Sequence, residues 1–170
     1  MIETGSPVVS EPSGTLRLRE VGSTDAENLY RWRMEPSARA MFRDAEELSL
    51  VSHRAFIASY FRCECTDHWF VIEVEGRPVG TIALHDFSAD RTEAEWGRFV
   101  IAPEYRGQGW GRRALRLLLD YARAIGVRRL RCEVLASNST AASLYRTLGF
   151  ADDGSYELSG RRFQRLVTNL

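Results

Sequence analysis

A single α/β (α+β) domain over residues 15–170 is the expected fold, and three observations carry that expectation. The chain has 170 residues, 44% of them hydrophobic, which fits one domain with one core. Its apolar pattern changes period along the chain, near two in short runs and near 3.6 in longer ones. A glycine-rich loop, YRGQGWGRRA at residues 105–114, joins an extended run to a leucine-rich amphipathic one.

Residues 1–14 are rich in Ser, Pro, Gly and Glu and are expected to form a disordered tail. TLRLRE then alternates Leu16 and Leu18 against Arg17 and Arg19, the period of a half-buried strand. Ser23, Thr24 and Asp25 are N-cap residues for a helix carrying Leu29, Tyr30, Trp32 and Arg33, which Pro36 should end by about Glu35. Ser49 caps a second helix, LVSHRAFIASYF. From Trp69, the runs HWFVIEV, VGTIALHDF and AEWGRFVI predict an antiparallel meander turning first at EGRP. Past the glycine loop, Trp110, Ala114, Leu117, Leu118, Tyr121 and Ile125 share one helical face, closed by Gly126. RLRCEVL returns parallel to the strand before the loop, because a crossover helix joins them. Asn138 marks a break, Ser139 caps the helix TAASLYRTL, Gly149 stops it, and two short strands around YEL and FQRLVTNL finish the chain.

Composition removes several functions. The 23 basic and 23 acidic residues balance, so no global field favours nucleic acid or a membrane surface. Every basic residue is arginine, which excludes a Schiff-base lysine and a Walker-type phosphate loop. Cys63, Cys65 and Cys132 form no disulfide framework, and C-x-C-x-x-H with His68 lacks a fourth ligand at a recognisable spacing, so no metal is expected. The N-terminus has no signal-peptide pattern and no apolar run is long enough to span a bilayer, so a cytoplasmic location is expected.

The loop itself fits two ligands. GWGRRA satisfies the dinucleotide pattern G-x-G-x-x-G/A, with Glu133 near the place of a ribose-binding acid. RGQGWG satisfies R-x-x-G-x-G. Glycines before a helix suit a phosphate under both readings, since the helix N-terminus offers unpaired N–H groups. The flanks decide. Residues 103–108 separate the preceding strand from the first dinucleotide glycine, and an antiparallel hairpin stands where a second βα unit would be needed.

EWGRFVIAPEYRGQGWGRRALRLLLDYA followed by CEVLASNSTAASLYRTLGF resembles the two core motifs of the GNAT superfamily, the acyl-CoA-dependent N-acetyltransferases. The matching positions are Arg106, Gly109 and Gly111, then Asn138, Leu144, Tyr145, Gly149 and Phe150, within a resemblance covering residues 69–156. It implies the GNAT fold, a mixed central sheet of six to seven strands with helices on both faces and a splayed parallel pair. It also implies acetyl-CoA as co-substrate, with no metal. The amides of Gln108, Gly109, Trp110, Gly111 and Arg112, following Gly107, would hold the pyrophosphate, with Arg106 and Arg112 near it. The strand ending at Ile101 would pair with the pantetheine, and Asn138 would contact the cofactor arm. Arg113 and Arg116 are expected on a solvated helix face.

Acetyl transfer from a thioester needs an uncharged amine and a proton for the departing thiolate. Tyr145 matches the family's general acid by position. Glu95, six residues before Ile101, should share its sheet face and is the candidate base, while Glu133 is assigned to substrate contact. The front half, with W-R-x-x-P, Met41 and L-S-x-x-x-H-x-x-F, is similar to N-acetyltransferases of nucleotide-linked amino sugars, notably of the pseudaminic-acid pathway. That similarity implies a substrate site of Arg33, Met41, His53, Phe56 and Glu133; Met41, His53 and Phe56 equally suit a packed interior. Ribosomal-protein N-terminal acetyltransferases share the layout, and a non-catalytic acyl-CoA sensor is the alternative of another class. The implied partners are a small-molecule amine and a second copy in a homodimer, with neither nucleic acid nor membrane.

Overall fold

Alternation at Leu16 and Leu18 produces the expected strand, and both side chains are fully buried. The computed structural model describes residues 8–62 and 66–170. Its strands are β1 (Val8–Ser10), β2 (Leu16–Glu20), β3 (His68–Val74), β4 (Arg77–His85), β5 (Glu93–Ile101), β6 (Arg129–Leu135), β7 (Ala151–Leu158) and β8 (Arg161–Asn169). Helices α1 (Ala26–Met34), α2 (Pro36–Arg39) and α3 (Leu50–Arg62) follow β2, α4 (Trp110–Ala124) follows β5, and α5 (Ser139–Thr147) follows β6.

One eight-stranded sheet runs in the order β1-β2-β3-β4-β5-β6-β8-β7. It has one strand more than the expected upper count because β1 pairs antiparallel with β2, Val9 opposite Leu18. The expected tail is therefore corrected for residues 8–14. Glu11 also ion-pairs with Arg113 of α4, so that arginine is held by the N-terminal segment instead of standing free in solvent. The rest of the expected tail lies outside the described residues, as do Cys63 and Cys65. His68, their proposed co-ligand, is hydrogen-bonded to the Tyr121 hydroxyl at 2.9 Å and to Arg91 at 3.1 Å.

Two cores sandwich the sheet. Ile72, Ile82, Leu84, Ala94 and Trp96 face α4 and α5, meeting Leu115, Leu118 and Tyr145. Val71, Ala83 and Val100 face the other way, against Leu29, Trp32 and Ile57 of α1 and α3. Each fully buried leucine contributes about 1.5–3 kcal/mol relative to exposure. Pro36, expected to stop α1, also starts the short α2 at the N-terminal position proline favours. The hairpin at Glu75 and Gly76 places both residues at positive φ, 50° and 77°, as a two-residue turn requires.

The decisive irregularity is in the parallel pair. β5 and β6 register over three positions only, Glu93 with Arg129 to Glu95 with Arg131. Beyond that point β5 stays with β4, and β6 stays with β8. The sheet splits into a V between them.

Candidate active site

The V opens into a cleft of about 1280 Å³. One wall is β5 from Glu95 to Ile101, the other β6 from Cys132 to Val134, with the start of α5 and Tyr145 between them and the glycine loop at the mouth. Arg106 donates its N–H to Pro103 O, and the next backbone bond is from Arg113 to Gly109 O. Among the described residues, the amides of residues 107–112 have no acceptor. They surround the start of the fifteen-residue α4, where the helix dipole is positive. Open amides at the start of a helix are the arrangement that suits an anion.

The three glycines do different work. Gly107 and Gly109 adopt φ of +72° and +84°, a region other residues enter at a cost. A side chain at either would meet no neighbour, so conformation is what requires glycine there. Gly111 has the opposite reason: a Cβ would lie 3.2 Å from Phe99 and 3.5 Å from Ile101, so it lets α4 approach β5. Gln108 is turned away from the cleft, donating to Glu104 O and accepting from the Trp110 indole.

Arg106 is not aimed at those amides. Its guanidinium donates to Ile101 O at 2.8 Å, Ser37 Oγ at 2.6 Å and Glu35 Oε2 at 3.0 Å, fastening the loop to α2. The bond from Ser37, then Arg106, lowers the Glu35 carboxyl to about pH 2. Arg112 lines the mouth, exposed and without an ion pair to any described residue. Asn138 lines the cleft while its side-chain oxygen caps α5 by accepting from Ala141 N at 3.2 Å.

Glu95 and Ile101 do not share a face. Between Thr81 and Ala83 of β4, β5 advances from Val100 to Gly97, one residue too many, and Arg98 sits at φ +48°. This bulge shifts the alternation. Ala94 and Trp96 face α4 with Ile101, whereas Glu95 points to the α1 and α3 side with Val100. Arg98 is held by Asp67 at 2.9 Å and lies 4.9 Å from the Trp69 ring.

Tyr145 stands edge-on to Trp96, ring centroids 4.7 Å apart. Burial, with Cys132 adding to it, pushes its phenol well above the ordinary value, so it stays protonated. Burial first, and Glu95 next, likewise keep Cys132 a thiol.

Met41 lines the cleft, together with Phe42 and Arg43, which the sequence reading missed. Glu133 reaches it too, but neutralised: it accepts from Tyr156 at 2.5 Å and lies 3.8 Å from Arg43 and 3.5 Å from Arg165. Burial, then this bond, raises the Tyr156 phenol to about 12. Arg33, His53 and Phe56 do not line the cleft. Arg33 stacks 4.0 Å over Phe42 and donates to Asp44 O, shaping the loop from behind. His53 is buried, its pKa lowered by desolvation and then by Arg33. Phe56 is half exposed beside Trp69. His85, with Asp86, lines the cleft unannounced by any motif.

The chain matches the acetyltransferase (GNAT) family description over residues 26–150. It is 34% identical over 86 residues to spermidine N(1)-acetyltransferase of Escherichia coli K12, spanning 50% of this chain and 46% of that protein. The match thus covers about half of that curated relative. Spermidine N-acetyltransferase from Vibrio cholerae, solved with CoA and spermine, has the same fold: TM-score 0.80, 20% identity, covering 91% of this chain and 95% of that one. RimL, the ribosomal L7/L12 alpha-N-protein acetyltransferase, gives 0.79 at 17% identity, covering 97% and 95%. No helix among the described residues is long and apolar enough to cross a membrane. With its splayed sheet, its open amides and this match over most of its length, the chain belongs to the GNAT acetyltransferase family.

Proposed function

We propose that the protein transfers an acetyl group from acetyl-CoA to a primary amine on an acceptor that also carries an anionic arm, of which a nucleotide-linked amino sugar is the best fit. The observation that carries the transfer is the placing of Tyr145 in the splay, between the open amides of residues 107–112 and the acceptor end. Those amides and Arg112 would hold the donor's pyrophosphate, and the free edge of β5 would hold its extended arm. The donor supplies the activated acyl group. Tyr145, kept protonated by burial, donates to the sulfur as the C–S bond breaks.

The acceptor class follows from charge. Of the carboxylates that line the cleft, Glu133 already carries Arg43 and Arg165, whereas Glu95, with Arg131 at 4.0 Å, and Asp86, beside His85, are left to meet a single ammonium group. The further ammonium groups of a polyamine would have to compete with guanidinium groups at Glu133. Arg43 and Arg165 instead approach the Tyr156 ring at 5.8 Å and 4.7 Å, leaving N–H groups for a phosphate or carboxylate.

The test is CoA release from acetyl-CoA with UDP- and dTDP-linked amino sugars, spermidine and a peptide N-terminus. The nucleotide sugars should give the highest kcat/KM. Preferred turnover of spermidine or the peptide overturns the acceptor class. If acetyl-CoA raises the Tm while no amine stimulates release, the acyl-CoA sensor is the correct reading.

A further inference from the structure

We propose that His85, oriented by Asp86, is the base that takes the proton from the acceptor's ammonium group, with Glu95 as the anion that draws the ammonium to it. This rests on the acetyl-transfer reading above and assigns a residue that the two motifs leave out.

Four observations converge. His85 ends β4 and lines the acceptor end of the cleft, its side chain 19% exposed. Its Nδ1 lies 2.8 Å from Asp86 Oδ2, and a carboxylate there selects the tautomer with the proton on Nδ1. Nε2 is left with a free lone pair, and no described residue hydrogen-bonds to it. Asp86 sits at φ +50°, a conformation Asp tolerates better than most residues.

The third observation is Gly97. A Cβ on it would come within 2.9 Å of His85 Nε2, so any other residue would displace the imidazole. Gly97 lies just past the last β5–β6 register pair, at Glu95 and Arg131. The ring nitrogen therefore stands near the apex of the V. Finally, a ligating atom each of His85, Asp86 and Glu95 lie within 4.8 Å of one another. An ammonium drawn to Glu95 is then within reach of the imidazole. The charged surroundings are Asp86, the residue that follows β4, Glu95 with Arg131 beyond it, and the Arg98–Asp67 pair.

The protons balance. The acceptor arrives as R–NH3+, and His85 Nε2 takes one proton, leaving R–NH2 with its lone pair. Nitrogen attacks the thioester carbonyl carbon, the C–N bond forms and the C–S bond breaks. The nitrogen's second proton passes through solvent to the Tyr145 phenolate, replacing the one Tyr145 gave to sulfur, and imidazolium returns its proton to solvent. The products are the amide, the free thiol and one released proton.

The experiment compares wild type with His85→Gln, His85→Ala, Asp86→Asn and Glu95→Gln, using the acceptor the panel above identifies. Folding and donor binding are checked by the Tm rise with acetyl-CoA. His85→Gln should lower kcat/KM about 10²–10⁴-fold near pH 7, keep the KM for acetyl-CoA, and convert the pH profile to a steady rise with the fraction of free amine. Added imidazole should partly restore His85→Ala, which a structural role would not allow. Asp86→Asn should shift the acid limb, and Glu95→Gln should raise the acceptor KM. A wild-type pH profile in a folded His85→Gln overturns the proposal, as does loss of the acid limb in Glu95→Gln alone. If wild type acetylates no amine yet binds acetyl-CoA, the acetyl-transfer reading itself fails and the base assignment falls with it.

Discussion

Replacing Tyr145 by Phe separates chemistry from packing. The ring's edge-on contact with Trp96, centroids 4.7 Å apart, and its contact with Phe150 at 6.4 Å survive the change. The phenol oxygen makes no hydrogen bond to any described residue, so its removal orphans no partner and lifts the desolvation that raises its pKa. Stability should therefore change by under ~1 kcal/mol, a Tm within about 4 °C of wild type for a chain of this size. Turnover should behave otherwise. A general acid contributes about 10²–10⁴-fold, roughly 2.7–5.4 kcal/mol of barrier. The assay is steady-state CoA release beside differential scanning fluorimetry with and without acetyl-CoA. Tyr145→Ala is the contrast, since truncating a buried aromatic costs about 3–5 kcal/mol through the cavity. A folded Tyr145→Phe with wild-type kcat refutes the acid role. A kcat loss accompanied by an equal loss of donor binding refutes the separation.

The loop makes three further predictions. Gly109→Ala, forced into φ +84°, should cost about 1–2 kcal/mol and weaken acetyl-CoA binding, read as a lower Tm and a smaller ligand shift. Arg112→Ala should raise the KM for acetyl-CoA roughly 10-fold or more, by loss of a charge-assisted bond, whereas Arg106→Ala, whose charge is already matched by Glu35, should act mainly on stability. Glu35 titrates near 2 in the fold against 4.5 unperturbed, so its contribution is present above about pH 4.5 and lost as pH falls toward 2. Tm measured across that window should fall more steeply for wild type than for Glu35→Gln.

Periodicity carried most of the architecture. The strand at Leu16, the cap at Ser49, the glycine stops at Gly126 and Gly149 and the parallel pair all follow from local chemistry, while the cap of α5 is Asn138, one residue before the expected Ser139. What failed was parity and pairing. Glu95 and Ile101 are six apart, but a bulge at an arginine leaves no sequence mark, because Arg98 is stabilised by Asp67 from a distant segment. His53 and Phe56 have the spacing of neighbours on a helix, yet α3 sends neither to the cleft, because they pack on Tyr30 of α1 and on Trp69. Arg106 matched its motif by position, and only the fold shows Glu35 waiting for it. His85 belonged to no pattern, and the signal that points to it is Gly97, a glycine inside a strand where no turn requires one.

Arg161 of β8 donates to the carbonyls of Ala40 and Phe42, beside the loop that roofs the acceptor end. β8 also supplies β6 with a partner at every residue from Arg129 to Leu135, where β5 supplies three. A chain emerging from the ribosome thus exposes its donor loop and Tyr145 before the strand that closes the acceptor mouth has been made. The acceptor mouth is therefore completed by a strand that lies after the donor loop and Tyr145 in the chain.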